Sequence, residues 1–460
     1  MLYFDHNATT PPAPAVLAAM LPVFSDVWAN PSSQHAPGQA AKRTLGAART
    51  TVARALGCKP AEVIFTSGAT ESNHLAVRGL RDAAPVGRRR VVFGSVEHAG
   101  HLKLARALSD AGTPVSYLPV HADGTLDLRA AGELIGPDVA LVSLMAANNE
   151  TGVCMPVAEV AALAHAAGAP LHVDATQLIG KLPFDFARFG ADAVSLSAHK
   201  FHGPKGVGAL LLRQGVPWAP QTRGSQERAR RGGTENLPGI VGLAAALDAL
   251  GSASAMVAEA ERLAALRDAL ERGLAQALPA LHVWSQHAPR LPGTSYLRIG
   301  DLQAEVVLNR LERLGIAASS GAACSSGGSE PSHVLSAMGV PRDDALCAVR
   351  LSLGRTTTAQ DVDFVVAMLP PLLMACSPFS PPPEPTMKVM IRKDSKGVLT
   401  AYVPRKDLEE PIVSMAEPGM WGGLVTLGNG WQLELPAMAV DTRLPVTVEA
   451  RRVATAGDDD

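Results

Sequence analysis

Cysteine is scarce in this chain. There are five in 460 residues, widely scattered and odd in number. That excludes a disulfide framework of the kind that staples small secreted domains. There is no CxxC pair and no clustered Cys/His set. His98/His101 and His199/His202 have i, i+3 spacing, but without paired carboxylates or thiolates no metal centre is expected. Charge of one sign is also lacking: 41 basic against 43 acidic residues, a formal net charge of −2. A chain so balanced has no basic surplus for nucleic acid. No apolar run approaches the roughly 18 residues that span a membrane. The opening Met1-Leu-Tyr-Phe-Asp-His6 lacks the basic region and apolar run of a signal peptide. No internal repeat is visible. A protein of the reducing cytoplasm is expected, with neither nucleic acid nor membrane as partner.

What remains is an ordinary enzyme composition, 47% hydrophobic and 18% charged, long enough for two or three domains. Short apolar runs alternate with helical spacing. Strands are expected at Glu62–Thr66, Val91–Phe93, Val139–Met145, Pro170–Asp174, Asp192–Ser197 and Val207–Leu212. Helices are expected between them, for example Ala40–Leu56 and Val157–Ala167. This alternation predicts an α/β fold with a mostly parallel sheet. Pro238–Leu278 reads as helix with a break near Gly251-Ser-Ala-Ser254, and strands at Gly293–Ile299 and Val349–Leu353 suggest a smaller second domain. The expected boundaries are 14–255 for the large domain and 1–13 with 256–376 for the small one. The Pro-rich stretch 377–386 reads as a linker. From 387 to 460 short β-rich runs alternate with turns, and Gly428-Asn-Gly430 is a hairpin signal, so a small all-β module is expected.

In open α/β sheets ligands bind beyond the carboxyl ends of the strands. His98, Asn149, Asp174, Gln177 and Lys200 all fall at such ends and should converge. Lys200 stands between hydroxyl and imidazole groups, ahead of the loop Gly203-Pro-Lys-Gly206. Its amine suits a Schiff base with a carbonyl cofactor, although a lysine in a turn is also a common surface feature. Asp174 is the natural partner of a pyridinium nitrogen. His98 fits a place on the ring face with a part in proton transfer. Gln177 and Asn149 can bond the ring hydroxyl and the substrate. The strand, small-residue turn and helix at Thr66-Ser-Gly-Ala-Thr-Glu-Ser72 present Ala69 and Thr70 at a helix N-terminus, which attracts anions. Ser197, His199 and Thr234 are further phosphate donors. Gly203-Pro-Lys-Gly206 is not a nucleotide-binding P-loop. Cys324 lies in a tract of Gly, Ser and Ala expected to be flexible and exposed, which suits a travelling nucleophile, whereas Cys347 and Cys376 sit in apolar runs. A free thiol of pKa about 8.5 needs help to ionise at neutral pH. Arg350 offers bidentate pairing to a substrate carboxylate, with Arg355 as its competitor.

As a set these residues resemble the NifS/IscS-type cysteine desulfurases, most closely the NifS branch. The resemblance spans nearly all of residues 3–375. It rests on Asp5-His-Asn-Ala-Thr-Thr-Pro11, Asn30-Pro-Ser-Ser33, Thr66-Ser-Gly-Ala-Thr-Glu-Ser72, Glu97-His98, Ala147-Asn-Asn-Glu-Thr-Gly152, Asp174-Ala-Thr-Gln177, Ser197-Ala-His-Lys200, Gly203-Pro-Lys-Gly206, Gly233-Thr-Glu-Asn236 and Ser319-Ser-Gly-Ala-Ala-Cys324. It implies a fold-type-I enzyme dependent on pyridoxal 5′-phosphate, usually a homodimer, with Thr234 reaching the neighbouring subunit's phosphate. It also implies L-cysteine as substrate, L-alanine as product, and a persulfide on Cys324 that passes to an iron–sulfur scaffold protein, in the NifS branch one serving nitrogenase. The tail resembles a second family, NifT/FixU, through Lys388-Val-Met-Ile-Arg392, Tyr402-Val-Pro404, Asp407-Leu-Glu-Glu-Pro-Ile-Val413, Gly430-Trp431 and Asp441-Thr-Arg-Leu-Pro445. Met387 looks like a former start codon, so the chain resembles a fusion. The rival readings are another fold-type-I enzyme, such as a selenocysteine lyase or an aminotransferase, and a sulfur carrier or scaffold. Cys324 discriminates against the aminotransferase, and Lys200 against the scaffold.

Overall fold

The computed structural model describes residues 1–320, 330–374, 386–393, 397–404, 407–416, 420–439 and 441–453. Cys324, Cys376 and the Pro-rich stretch up to residue 385 lie outside them. The chain forms two compact units, Met1–Leu373 and Met374–Asp460.

The first unit is built on a seven-stranded sheet. Its spatial order is Val63–Thr66, Gly208–Leu212, Ala193–Ser197, Leu171–Asp174, Val139–Met145, Arg90–Gly94 and Val115–Leu118. Gly208–Leu212 runs antiparallel to both its neighbours, and the other adjacent pairs are parallel. The central strands are buried on both faces, as parallel sheets require, and are mostly apolar, with Ser143, His172 and Ser195 as buried polar members. Val142 and Leu144 enter one core cluster while Leu141 enters the other. The same alternation puts Val194 and Leu196 on one face and Ala193 on the other. Each such fully buried Val or Leu contributes about 1.5–3 kcal/mol.

Several helices begin where a side chain can bond their open N–H groups. His35 accepts from Gly38 N to start Ala36–Ala55, and Asn236 accepts from Gly239 N to start Leu237–Asp248. The break expected near Gly251 is present. Gly251 has φ of 79°, Ser252 caps the next helix Ala253–Ala277, and the two axes bend by 78°. Among the described residues no single helix is long and apolar enough to cross a membrane, and this bent pair alone passes that test by length and composition.

A separate apolar cluster surrounds a three-stranded antiparallel sheet of Leu281–Val283, Thr294–Ile299 and Ala348–Ser352. The N-terminal segment lies against it. Leu2–Tyr3 pairs with Ile316–Ala317, and Asp5 bridges to Ser352. This threading carries Asp5 and Asn7 to the ends of strands far away in sequence.

The second unit is a closed six-stranded barrel: Thr386–Lys393, Leu399–Val403, Leu408–Met415, Leu424–Leu427, Gln432–Glu434 and Val446–Val453. Its neighbours are all antiparallel, and the last strand returns to the first over Thr386–Ile391. Val389, Ile391, Ala401, Val425, Leu433 and Ala450 fill the interior. Leu408–Met415 is a strand that composition conceals, because Glu409, Glu410 and Pro411 are poor strand formers. The hairpin expected at Gly428-Asn-Gly430 joins the fourth and fifth strands, with Gly430 at φ of 89°.

Candidate active site

Strand Ala193–Ser197 ends in a single 3-10 turn, Ala198–Lys200, and the chain returns along Gly208–Leu212. Lys200 therefore stands in a hairpin at the carboxyl end of the sheet. Its Nζ donates to two backbone carbonyls, Asn7 O at 2.7 Å and Ala8 O at 2.8 Å. Beside it opens a cavity of about 600 Å³. Ala69, Thr70, His98, Asn149, Asp174, Gln177, Ser197, His199, Lys200 and Arg350 all line it. The convergence expected of His98, Asn149, Asp174, Gln177 and Lys200 from their strand-end positions is thus observed. Thr234 is exposed and does not line this cavity within one chain. Arg355 faces a second, smaller cavity and donates to Ala249 O.

Asp174 ends its strand buried, with its two oxygens taken by different donors. Asn73 Nδ2 donates to Oδ2 at 2.7 Å and Thr176 N to Oδ1 at 3.0 Å. Burial pushes its pKa up, but these bonds from Thr176 and Asn73, with His101 nearby, outweigh burial and hold it below the usual carboxylate value. Asp174 is thus a buried anion facing the cavity. His98 is the N-cap of helix Ala99–Asp110. Its Nδ1 accepts from Gly100 N at 3.1 Å. Burial lowers its pKa, with Lys200 and His333 adding to that effect against Asp174. A neutral ring whose Nδ1 accepts a hydrogen bond carries its proton on Nε2.

The end of the cavity at the N-terminus of helix Ala69–Asp82 suits an anion. Helix Ala69–Asp82 starts at Gly68 with no side-chain cap, so its first N–H groups are open. Ser67, Gly68, Lys205 and Gly206 line this end with Ala69, Thr70, Ser197 and His199. His199 Nδ1 pairs with Thr9 Oγ1 at 3.0 Å, and burial beside Lys200 and Lys205 lowers its pKa to about 4. Gly208 lets the return strand close on this turn. A Cβ there would lie 2.4 Å from Leu196 O and 2.7 Å from Gly68 Cα.

Arg350 is buried, gripped by Asp5 Oδ1 at 2.7 Å and Asn149 O at 2.8 Å. Its backbone pairs with Ser319, which precedes the tract containing Cys324. On the far side of that tract Ser332 donates to Glu150, which also accepts from Tyr296, and Tyr296 Oη reaches Ser320 O. Both flanks of the Cys324 tract are thereby fixed to the elements that carry Arg350 and Asn149.

Sequence reasoning passed over several residues here. Asn7, Asn73 and Thr176 are small polar residues in turns, and nothing in their spacing marks them. Lys181 is different: it sits four residues after Gln177, and its half-buried amine donates to Gln177 and Asn7. That i, i+4 spacing was a usable signal.

A lysine at a strand end, a buried carboxylate, an imidazole near both and an open helix N-terminus form a donor set that fits pyridoxal phosphate. Fold and cavity together define a fold-type-I enzyme of this cofactor class. Residues 2–365 match the family model of class-V aminotransferases, and residues 387–450 match that of the NifT/FixU proteins. A cysteine desulfurase of Cereibacter sphaeroides is 48% identical over 385 residues, covering 82% of this chain and 98% of that protein. The cysteine desulfurase NifS of Azotobacter vinelandii is 42% identical over 382 residues, covering 83% and 94%. A solved NifS-like protein superposes with a TM-score of 0.76 at 36% identity, over 82% of this chain and all of that one. The chain belongs to the class-V aminotransferase family and, within it, to the cysteine desulfurases.

Proposed function

We propose that this cysteine desulfurase carries its chemistry on Lys200, His98 and Cys324, and that its product sulfur goes to iron–sulfur cluster assembly for nitrogenase. The convergence of Lys200, Asp174 and His98 on one cavity carries the reading. Lys200, Asp174, His98, Gln177 and Asn149 would hold the ring of pyridoxal phosphate. Ala69, Thr70, Ser197 and His199 would hold its phosphate, with Thr234 supplied by a second copy in a homodimer. When bound, this cofactor supplies an electron sink for charge developing at the substrate α-carbon.

The chain's own residues do the rest. Arg350, oriented by Asp5, binds the α-carboxylate of L-cysteine in the plane of its guanidinium. Asp174 stays ionised, so a proton on the ring nitrogen is retained. The Lys200 amine takes and returns protons within reach of the cavity. His98 offers the proton on Nε2, because its Nδ1 lone pair is occupied by Gly100 N–H. The Cys324 thiolate attacks the sulfur of the substrate. The substrate's carbon–sulfur bond breaks, a sulfur–sulfur bond forms, and the electron pair left on carbon takes up a proton. L-cysteine and a thiol thus become L-alanine and a persulfide, with no outside oxidant. The persulfide passes to a scaffold protein. The first unit is read as a cofactor lobe, 14–255, and a smaller lobe, 1–13 with 256–376, in a cytoplasmic enzyme.

The test is incubation with L-cysteine and a reductant. Native protein should yield alanine and sulfide in equal amounts. Cys324→Ala should keep the cofactor and lose sulfide, and Lys200→Ala should lose the borohydride-reducible lysine adduct. Full sulfide release by Cys324→Ala would overturn the persulfide step.

A further inference from the structure

Lys181 is a second lysine at the site. It is half-buried, and its partners are two neutral amide oxygens rather than carboxylates. Nζ lies 2.5 Å from Asn7 Oδ1 and 2.5 Å from Gln177 Oε1. Lys181 donates to both oxygens, so the NH2 groups of Asn7 and Gln177 face away from it, toward backbone carbonyls that only accept. Asn7 Nδ2 then donates to Thr294 Oγ1 at 3.0 Å and Asn149 O at 3.2 Å. Gln177 Nε2 donates to Asn7 O at 3.0 Å, with its other N–H available to the cavity that Gln177 lines. The carbonyl that receives it, Asn7 O, also receives Lys200 Nζ at 2.7 Å. One amine thus helps set the orientation of the residue that holds Lys200 and of the amide beside it.

We propose that Lys181 is a positioning residue of the sulfur-releasing site, orienting the Gln177 amide toward the cofactor and, through Asn7, the reactive amine of Lys200. The proposal rests on the roles given above to Lys200 and Gln177. Burial lowers the Lys181 pKa well below its usual value, with Lys200 and Arg350 reinforcing the effect and Cys154 opposing it. His6, His202, Arg355 and Glu259 share the small cavity that Lys181 lines. With its charged form disfavoured, Lys181 acts on Asn7 and Gln177 through its hydrogen bonds rather than as a fixed positive charge.

The experiment follows the visible absorption band of the cofactor-loaded enzyme against pH, with kcat and KM for L-cysteine. Lys181→Met should keep the band. Its pH midpoint should shift by about half a unit or more, since the Asn7 and Gln177 amides beside Lys200 are no longer held. Its kcat should fall about tenfold with KM nearly unchanged, as expected for a residue that acts through others. Lys181→Gln, which keeps an N–H donor, should show a smaller midpoint shift and a smaller loss of kcat. A native midpoint in either folded, loaded variant would overturn the proposal. So would failure of both to fold, because Lys181 would then belong to the scaffold. If native protein shows no lysine-bound band at all, the reading of Lys200 fails instead, and the two failures are told apart.

Discussion

The residues that matter most chemically are those whose ionisation the fold has shifted. Asp174 is held ionised although buried, and Glu97 is its opposite. Glu97 is fully buried, burial and then Asp174 raise its pKa well above the usual value, and only Met145 N opposes them. The folded protein therefore binds a proton that the unfolded chain releases above about pH 4.3. Stability contributed by Glu97 falls as pH rises from there through its folded pKa. Glu97→Gln, which keeps the acceptor for Met145 N, should flatten that loss, and melting temperatures at pH 6 and pH 8 would show it. Asp174→Asn should cost about 100-fold in kcat, a typical size for a group that controls a proton, while the cofactor stays bound. Both carboxylates were equally visible as letters. Asp174 could be singled out because it ends an apolar strand. Glu97 could not be singled out as neutral, because its burial depends on strands that arrive much later in the chain.

Individual elements carry the site through close approach and through buried polar chains. Gly208 is needed because the return strand touches the Gly68 turn. Gly208→Val should push away both that turn and the end of the neighbouring strand at Leu196, and weaken cofactor binding, read as a higher cofactor concentration for half-saturation. Across the strands runs a chain of hydrogen bonds from His101 Nε2 to Ser143, from Ser143 to His172, and from His172 to Ser195, at 2.8–3.0 Å. Burial lowers the pKa of His101 to about 4 and of His172 to about 3. Both are neutral when folded and charge readily when unfolded. Their effect is absent above about pH 6.5, and each should cost about 2 kcal/mol by pH 5. His172→Gln should make unfolding by denaturant less sensitive between pH 7 and pH 5. Element types were legible where apolar runs were long, as at Val139–Met145. Val115–Leu118 was not, because it is a four-residue edge strand set between Pro114 and Pro119. His98 and His101, at i, i+3 spacing, were not expected to share a metal. Helix geometry divides them: His98 lines the cavity, and His101 turns inward to Ser143.

At the scale of the whole molecule, pattern alone made the alternating sheet and the β-rich tail legible. Which distant segments meet was less so. The N-terminal segment places Asn7 under Lys200 and Asp5 on Arg350, contacts between residues 193 and 345 positions apart. No local periodicity encodes such separations. They arise because a short strand at residues 2–3 finds its partner at 316–317. The tail adds a consequence of its own. A sheet with two free edges can recruit another protein by lending it a row of unpaired backbone groups. The six strands from Thr386 to Val453 close on themselves and leave no such row. A protein that recognises this barrel must therefore read side chains on its outside, so specificity should reside in surface substitutions there and should survive changes to the ladder beneath them.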